Sequence, residues 1–355
     1  MIKKIQFFDT TLRDGEQTIG VNFSIEEKIA IAQQLEKWGI DVIEAGFPIA
    51  SKGDFQAVQT VASSIKKARV TALARANKKD IDACVQATAP AIHKQIHIFI
   101  ATSPIHRQSK LHMTKKEVLE KIKGSIEYAH HFFEIIEFSP EDATRTERTF
   151  LVQAIETAIT AGASVINIPD TVGYTNPAEF ADLFTYLRKN IPTFDEVIFS
   201  VHCHDDLGMA VANSLASIEN GATRIEGTIN GIGERAGNAA LEEIAAALYV
   251  RKDYYHATDN INLKDTQATS EMISRYSKMP LPKNKAVGGK STRLPLGKLS
   301  GSHAVMEKLK EMGYPFDHES MKIIFPIFKE RADKKALIDE KDLQVIMQQI
   351  SEVKR

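Results

Sequence analysis

The sequence predicts an α/β chain: a (β/α)8 TIM barrel followed by a small, mainly helical C-terminal appendage. Three observations carry this expectation. First, eight β-branched or aromatic runs alternate with helix-length segments from residue 5 to about residue 250: IQFFDTTL, DVIEAGFP, RVTALARA, QIHIFIAT, IIEFSPED, SVINIPDT, EVIFSVHCHD and RIEGTING. Second, landmarks near their ends (Asp14, Phe47, Arg75, Thr102, Glu141, Asp170, His204 and Asn230) lie 26 to 39 residues apart, with a mean near 31. One strand, one helix and two short loops need about that many residues, and eight such units fill the roughly 250 residues usual for this barrel. Third, nearly every run sends an ionisable or hydrogen-bonding side chain to the same end, where this fold keeps its chemistry. A doubly wound open sheet also alternates strands and helices, but it seldom uses eight even repeats.

Taken in order, the elements carry their own signals. In SIEEKIAIAQQLEKWG, Ser24 is a good N-cap and Glu27 completes a capping box. Ile25, Ile29, Ala32, Leu35 and Trp38 form an apolar stripe, and Gly39 stands where a C-terminal cap belongs. Pro140 and Pro169 cannot donate to a ladder, so their strands are expected to end there. In NAALEEIAAAL, Asn238 either caps a helix or faces the pocket. The rhythm stops near residue 258, which places the barrel at 1–258 and the shortened helical subdomain at 259–355. Within the latter, NLKDTQATSEMISRYSKM, SHAVMEKLKEMG and KDLQVIMQQISEV read as helices, and MPLPKNKAVGGKSTRLPLGKLSG as a loop.

Composition narrows the function. A formal net charge of −1, 43% hydrophobic and 26% charged residues suit an ordinary globular protein and argue against a nucleic-acid partner. The opening MIKKIQFFDTTLR breaks its apolar run at Asp9 and Arg13, unlike a signal peptide, and no 18 consecutive apolar residues offer a membrane span. Cys84 and Cys203, the only cysteines, stand 119 positions apart, so a reducing cytoplasm is expected.

Side chains two apart on a strand share a face. In SVHCHDDLG, His202 and His204 therefore point one way and Cys203 the other. The opposite face of that strand, Val197, Phe199, Val201 and Cys203, is apolar and should pack on helices, which turns the histidines into the barrel. The same parity sends Glu44, Arg75, His97, Glu137, Ser139 and Glu141 inward, with Asp170 and Thr171 at the rim. Two histidines about 6.6 Å apart along the strand, with Asp14 and either Asp170 or Asn238 across the barrel, can converge on one divalent ion at about 2.1 Å. An N/O donor set without thiolate suits Mn²⁺, Mg²⁺, Co²⁺ or Zn²⁺. GTINGIGERAGN has the wrong glycine spacing and position for a dinucleotide fingerprint, but a glycine-rich loop after the eighth strand suits a phosphate-bearing cosubstrate.

With DTTLRDGEQ at 9–17, FSPEDATR at 138–145, NIPDTVGYT at 167–175, SVHCHDDLG at 200–208, NGIGERAGN at 230–238 and LPLGKLSGSHAV in the appendage, the chain resembles the 2-isopropylmalate synthases. These belong to the Claisen-condensing barrel enzymes, with homocitrate and citramalate synthases and hydroxymethylglutaryl-CoA lyase. The resemblance implies a transferase of leucine biosynthesis that condenses acetyl-CoA with 3-methyl-2-oxobutanoate. It implies metal ligands Asp14, His202, His204 and Asn238, with Mn²⁺ foremost and a monovalent cation as a further cofactor. Arg13 would polarise the keto group, His97, Ser139 and Thr171 would place the 2-oxo acid, and Glu141 would manage protons. Acetyl-CoA would lie over Gly231, Gly233 and Glu234. A cytoplasmic homodimer is the implied assembly.

Three departures from the family pattern qualify this. A His-Glu-Ser-Gly-Ile-His-Gln-Asp-Gly stretch, which supplies a histidine over the partner's active site, is absent where KAVGG meets KSTRLPLGKLSG. The leucine-sensing regulatory domain is expected to be missing, and Ile19 stands where proline is common. The alternatives are condensation on another 2-oxo acid, as in citramalate or homocitrate synthases, or a barrel impaired by loss of the histidine segment.

Overall fold

In the computed structural model, residues 2–282, 285–287, 296–314, 318–335 and 337–353 are described. Nine strands form one all-parallel sheet: β1 (Gln6–Asp9), β2 (Val42–Glu44), β3 (Arg69–Thr71), β4 (Leu73–Arg75), β5 (Ile96–Ala101), β6 (Ile136–Glu141), β7 (Val165–Asp170), β8 (Ile198–Cys203) and β9 (Arg224–Gly227). Their order is β3-β2-β1-β9-β8-β7-β6-β5-β4. The two edge strands are halves of RVTALARA, broken at Ala72, whose carbonyl accepts from the His97 N–H at 3.2 Å. The ring therefore closes through one continuous chain, giving the expected eight-unit barrel with one strand split between its two neighbours.

Helices α1 (Ile25–Trp38), α2 (Lys52–Ser64), α3 (Lys78–Ala87), α4 (Lys115–Ala129), α5 (Arg148–Thr160), α6 (Pro177–Asn190), α7 (Ala210–Glu219) and α8 (Leu241–Val250) follow the strands in turn. The Ser24–Glu27 capping box starts α1, and Gly39 ends it at φ 104, a left-handed conformation that costs glycine little. The buried stripe of α1 differs from the expected one: it is Lys28, Ile31, Ala32, Leu35 and Trp38. Lys28 is inside because its ammonium meets Glu16 at 2.6 Å and Asp54 at 3.7 Å. That rotates the buried arc and leaves Ile25 and Ile29 half-exposed.

Pro140 and Pro169 do not end their strands. Each is a paired position, opposite Ile100 and His202, one residue before the last, so each removes one donor without breaking the ladder. The outward face of β8 packs as its parity requires: Phe199 stacks on Phe194 at 3.9 Å between centroids, and Cys203 is buried beside Ser214 of α7.

The chain divides into two compact units, Met1–Gly288 and Gly289–Arg355, so the boundary falls later than residue 258. Helix α9 (Thr266–Ser277) belongs to the barrel unit, with Thr266 Oγ1 accepting from Trp38 Nε1 at 2.9 Å. In the second unit, α10 (Ser302–Glu311), α11 (His318–Lys334) and α12 (Glu340–Val353) share a core that includes Val305, Leu309, Ile324, Phe328, Leu343 and Ile346. The sequence pattern did not announce α11, whose apolar rhythm is interrupted by Pro326. The junction at 288–295, where the family's histidine segment would fall, lies outside the described residues.

Candidate active site

Register sets which side chains meet. β8 and β9 pair with Ser200 opposite Arg224 and His202 opposite Glu226, and β7 pairs with β8 so that Asn167 faces Ser200. β5 and β6 place His97 opposite Glu137 and Phe99 opposite Ser139. Arg13 and Asp14 leave β1 in a tight turn, so both reach the centre as expected.

The result is a belt of polar contacts around the inside of the barrel. Arg13 joins Asp14 (NH1–Oδ2, 2.7 Å) to Glu44 (Nε–Oε2, 2.7 Å). Glu44 accepts from Thr10 Oγ1 at 2.7 Å and meets His97 Nδ1 at 2.7 Å. His97 Nε2 lies 2.6 Å from Ser139 Oγ, which accepts from Asn167 Nδ2 at 2.8 Å. Asn167 also donates to Glu226 Oε2 at 3.2 Å; Glu226 stands 3.4 Å from His202 Nδ1, and His202 Nε2 returns to Asp14 Oδ2 at 3.6 Å. Sequence reasoning missed Asn167 and Glu226 as members. The signal for them was parity, since Asn167 alternates with Ile166 and Ile168, and Glu226 shares a face with Arg224.

Asp14, His202 and His204 form a cluster suited to a metal ion. The two Nε2 atoms are 3.3 Å apart, and Asp14 Oδ2 lies 3.6 Å and 3.8 Å from them. Ligands about 2.1 Å from one ion stand roughly 3.0–3.4 Å from one another, so the trio needs only slight contraction. Asn238 adds an amide whose Nδ2 donates to Asp14 Oδ1 at 2.7 Å and to the Ile232 carbonyl at 3.1 Å. Its Oδ1 is buried without a partner, the orphaned acceptor a cation would satisfy. Asn238 is therefore no helix cap: α8 starts at Leu241, and Asn238 bridges to His204 instead. Asp170 is outside the cluster; its carboxylate accepts from Thr175 at 2.5 Å and from Thr144 at 3.1 Å and so ties down its own loop.

Electrostatics hold Asp14 ionised and drive the two imidazoles in opposite directions. Burial opposes ionisation of Asp14, but Arg13 and the two imidazoles hold its carboxyl well below the usual range. Burial likewise opposes charge on His202, yet hydrogen bonding to Asp14 and Glu226 raises it to about 9. Burial and the neighbouring His202 push His204 down to about 4. Glu44, despite burial, is lowered to about 2 by Arg13 and His97.

The remaining expected residues are more scattered. Glu141 lies at the rim, both carboxylate oxygens held by Lys110 at 2.7 and 3.1 Å. Thr171 Oγ1 accepts from the Asp142 N–H at 3.0 Å. Arg75 does not point inward: its side chain is 57% exposed and bound to Asp80 at 2.7 Å, because the start of α3 brings that carboxylate over the end of β4. Gly233 is packed against the cluster, and a Cβ there would stand 1.9 Å from Asn238 Nδ2. Beside it opens a cavity of about 440 Å³ lined by Gly231, Gly233, Arg235, Met279 and Lys285, among others. Glu234 is exposed, 3.3 Å from Arg235, and does not line it.

Residues 4–273 match the HMGL-like family. The chain is 55% identical to the 2-isopropylmalate synthase of Listeria monocytogenes serotype 4a over 378 aligned positions, covering 98% of this chain and 74% of that protein. It is 52% identical to the 2-isopropylmalate synthase of Staphylococcus epidermidis, with the same coverage. Since 98% of 355 residues is 348, about 30 of the 378 aligned Listeria positions have no counterpart here. Among solved structures, an HMG-CoA lyase of Bacillus subtilis is similar at TM-score 0.66 and 22% identity, covering 79% of this chain and 96% of that one. An HMG-CoA lyase of Acinetobacter baumannii in complex with coenzyme A and 3-methylmalate reaches 0.68 at 19% identity, covering 82% and 97%. At such identities these two speak to the fold alone.

Proposed function

We propose, from the premise that the chain belongs to the HMGL-like family and to its 2-isopropylmalate synthases, that the polar belt performs their reaction: the Claisen condensation of acetyl-CoA with 3-methyl-2-oxobutanoate. The observation that carries this is the convergence of His202, His204 and Asp14, with the orphaned Asn238 oxygen, beside Arg13 at the carboxyl end of the barrel strands.

Asp14, His202, His204 and Asn238 would hold the divalent ion, and the donor types suit Mn²⁺ among others. When bound, the ion supplies Lewis-acid polarisation of the keto carbonyl. Arg13, fixed by Asp14 and Glu44, adds a planar donor fork at the same carbonyl. Thr171 keeps its hydroxyl proton to offer a carboxylate, because its oxygen is the acceptor toward Asp142. Both ring nitrogens of His97 are engaged by Glu44 and Ser139, so His97 and Ser139 shape the pocket wall around the acyl chain.

Glu141 is the candidate base for the acetyl methyl proton. The resulting carbanion forms the new bond to the keto carbon, the keto oxygen gains a proton, and water then cleaves the thioester and releases CoA. Lys110 keeps Glu141 oriented at the rim. The CoA arm is assigned to the cavity beside Gly231 and Gly233, with Arg235 and Lys285 in its lining. Glu234 stands outside that lining, its backbone N–H reaching Asp14 Oδ1 at 3.4 Å instead. A cytoplasmic homodimer is the corresponding assembly; it rests on the resemblance and, for the compartment, on two buried free cysteines.

Calorimetric titration of 3-methyl-2-oxobutanoate tests the site assignment. Saturable binding that requires Mn²⁺ and disappears in Asp14→Asn is expected. Equal binding without metal would overturn it.

A further inference from the structure

Glu226 lies one strand away from His202 and in register with it. It is fully buried. Its Oε1 accepts the Ser200 hydroxyl at 2.6 Å, while Oε2 accepts the Asn167 amide at 3.2 Å and stands 3.4 Å from His202 Nδ1. Both oxygens of Glu226 thus accept from side-chain donors, which makes it an acceptor toward its neighbours. Glu137 in turn accepts from Gln95 at 2.8 Å and Arg224 at 3.1 Å, which closes the column below it.

We propose that Glu226 is the positioning carboxylate of the metal centre, holding the His202 ring with Nδ1 toward itself and Nε2 toward His204 and Asp14. This rests on the assignment of those three residues as metal ligands. A neutral imidazole has one donor and one acceptor nitrogen, and a ligand must aim its lone pair at the ion. An acceptor-only group at the far nitrogen selects that tautomer and fixes the ring plane. His202 Nδ1 is buried without a hydrogen-bond partner, and the Glu226 carboxylate stands 3.4 Å from it, slightly beyond a full hydrogen bond. A glutamine at 226 would have to turn its NH2 toward one of the present donors. With its oxygen kept on Ser200, the amide would face Nδ1 as a donor and favour the tautomer that cannot ligate through Nε2.

The test uses Mn²⁺ with the full chain, reading affinity by electron paramagnetic resonance of the free ion and bound imidazoles by pulsed resonance. The parent protein should show two coupled imidazole nitrogens. Their absence would remove the metal assignment itself. In Glu226→Gln the Kd should rise about 10–100-fold, and the signal of one nitrogen should weaken or vanish, with far-ultraviolet circular dichroism unchanged. Glu137→Gln lies in the same buried column but does not touch His202; its Kd should stay within about threefold of the parent. If Glu226→Gln does not fold, Glu226→Asp is read the same way, since it keeps the charge but withdraws it from Nδ1. Unchanged affinity and nitrogen count in the folded variant, or equal losses in the Glu226 and Glu137 variants, would overturn the proposal.

Discussion

In the proposed reaction Arg13 is the side chain on which the chemistry would most depend, and Asp14 and Glu44 both hold its guanidinium at 2.7 Å. Lysine offers a point charge and cannot span both carboxylates in that geometry. Arg13→Lys should lower kcat by about 10²-fold or more while Mn²⁺ still binds with one ion per chain, as steady-state rates and metal analysis will show. His202→Ala or His204→Ala should abolish stoichiometric Mn²⁺ binding, whereas Cys203→Ala should leave it unchanged, because Cys203 faces α7. Loss of metal in the cysteine variant would refute the assignment of faces. Asp9 gives a pH signature. Burial pushes its carboxyl up to about 7, against two hydrogen bonds from Thr11. The unfolded chain releases that proton near pH 3.9. Between those values the folded state holds a proton that the unfolded state has lost, so this group's contribution to stability declines as pH rises through that window. Asp9→Asn should flatten the pH 4–7 dependence of the urea unfolding midpoint. Much of this residue layer was legible from parity alone, as with His202, His204 and His97. Asp170 and Arg75 were not, because a local partner, Thr175 or Asp80, claims each, and such partners come from loops whose path the sequence does not display.

At the scale of the element, the glycine-rich loop after β9 does more than leave room for a ligand. Gly233 lets the loop lie on Asn238 and Asp14, where a Cβ would meet their atoms at 1.9 and 2.9 Å. Neither neighbour can move without leaving the cluster. Gly233→Ala should therefore weaken Mn²⁺ at least tenfold. Gly124, in α4, has no atom within 4 Å of a Cβ position, so Gly124→Ala should instead stabilise the fold by roughly 0.5–1 kcal/mol, read as a higher unfolding midpoint. Strand and helix rhythm was readable because each unit repeats one amphipathic pattern. The exceptions have physical causes. Lys28 is buried by its ion pairs, which shifts the α1 stripe; Ala72 splits one run between two neighbours; and Pro326 hides α11.

At the scale of the molecule, the barrel is completed by residues beyond the eight repeats. Gly39 is pressed against the Asn260 backbone, Ser270 Oγ donates to Asn230 Oδ1, and Lys285 pairs with Glu242 and Glu243 at 2.8 Å. The last pair neutralises a buried carboxylate whose loss of partner would cost several kcal/mol. A chain ending at Gly288 should keep its fold and its Mn²⁺ affinity within about threefold, and one ending at residue 258 should not, as thermal unfolding and metal titration will show. Sequence rhythm could not mark this boundary, because α9 and the Lys285 segment close the barrel without continuing its repeat.

The central claim is that this belt condenses acetyl-CoA with a branched 2-oxo acid. The most direct measurement is thiol release from acetyl-CoA with Mn²⁺ and, in turn, 3-methyl-2-oxobutanoate, pyruvate and 2-oxoglutarate, with the products identified by mass spectrometry. The account predicts metal-dependent thiol release that is fastest with 3-methyl-2-oxobutanoate, yields 2-isopropylmalate, and is nearly lost in Arg13→Lys. Thiol release that is absent with every acceptor, or fastest with pyruvate or 2-oxoglutarate, would contradict it.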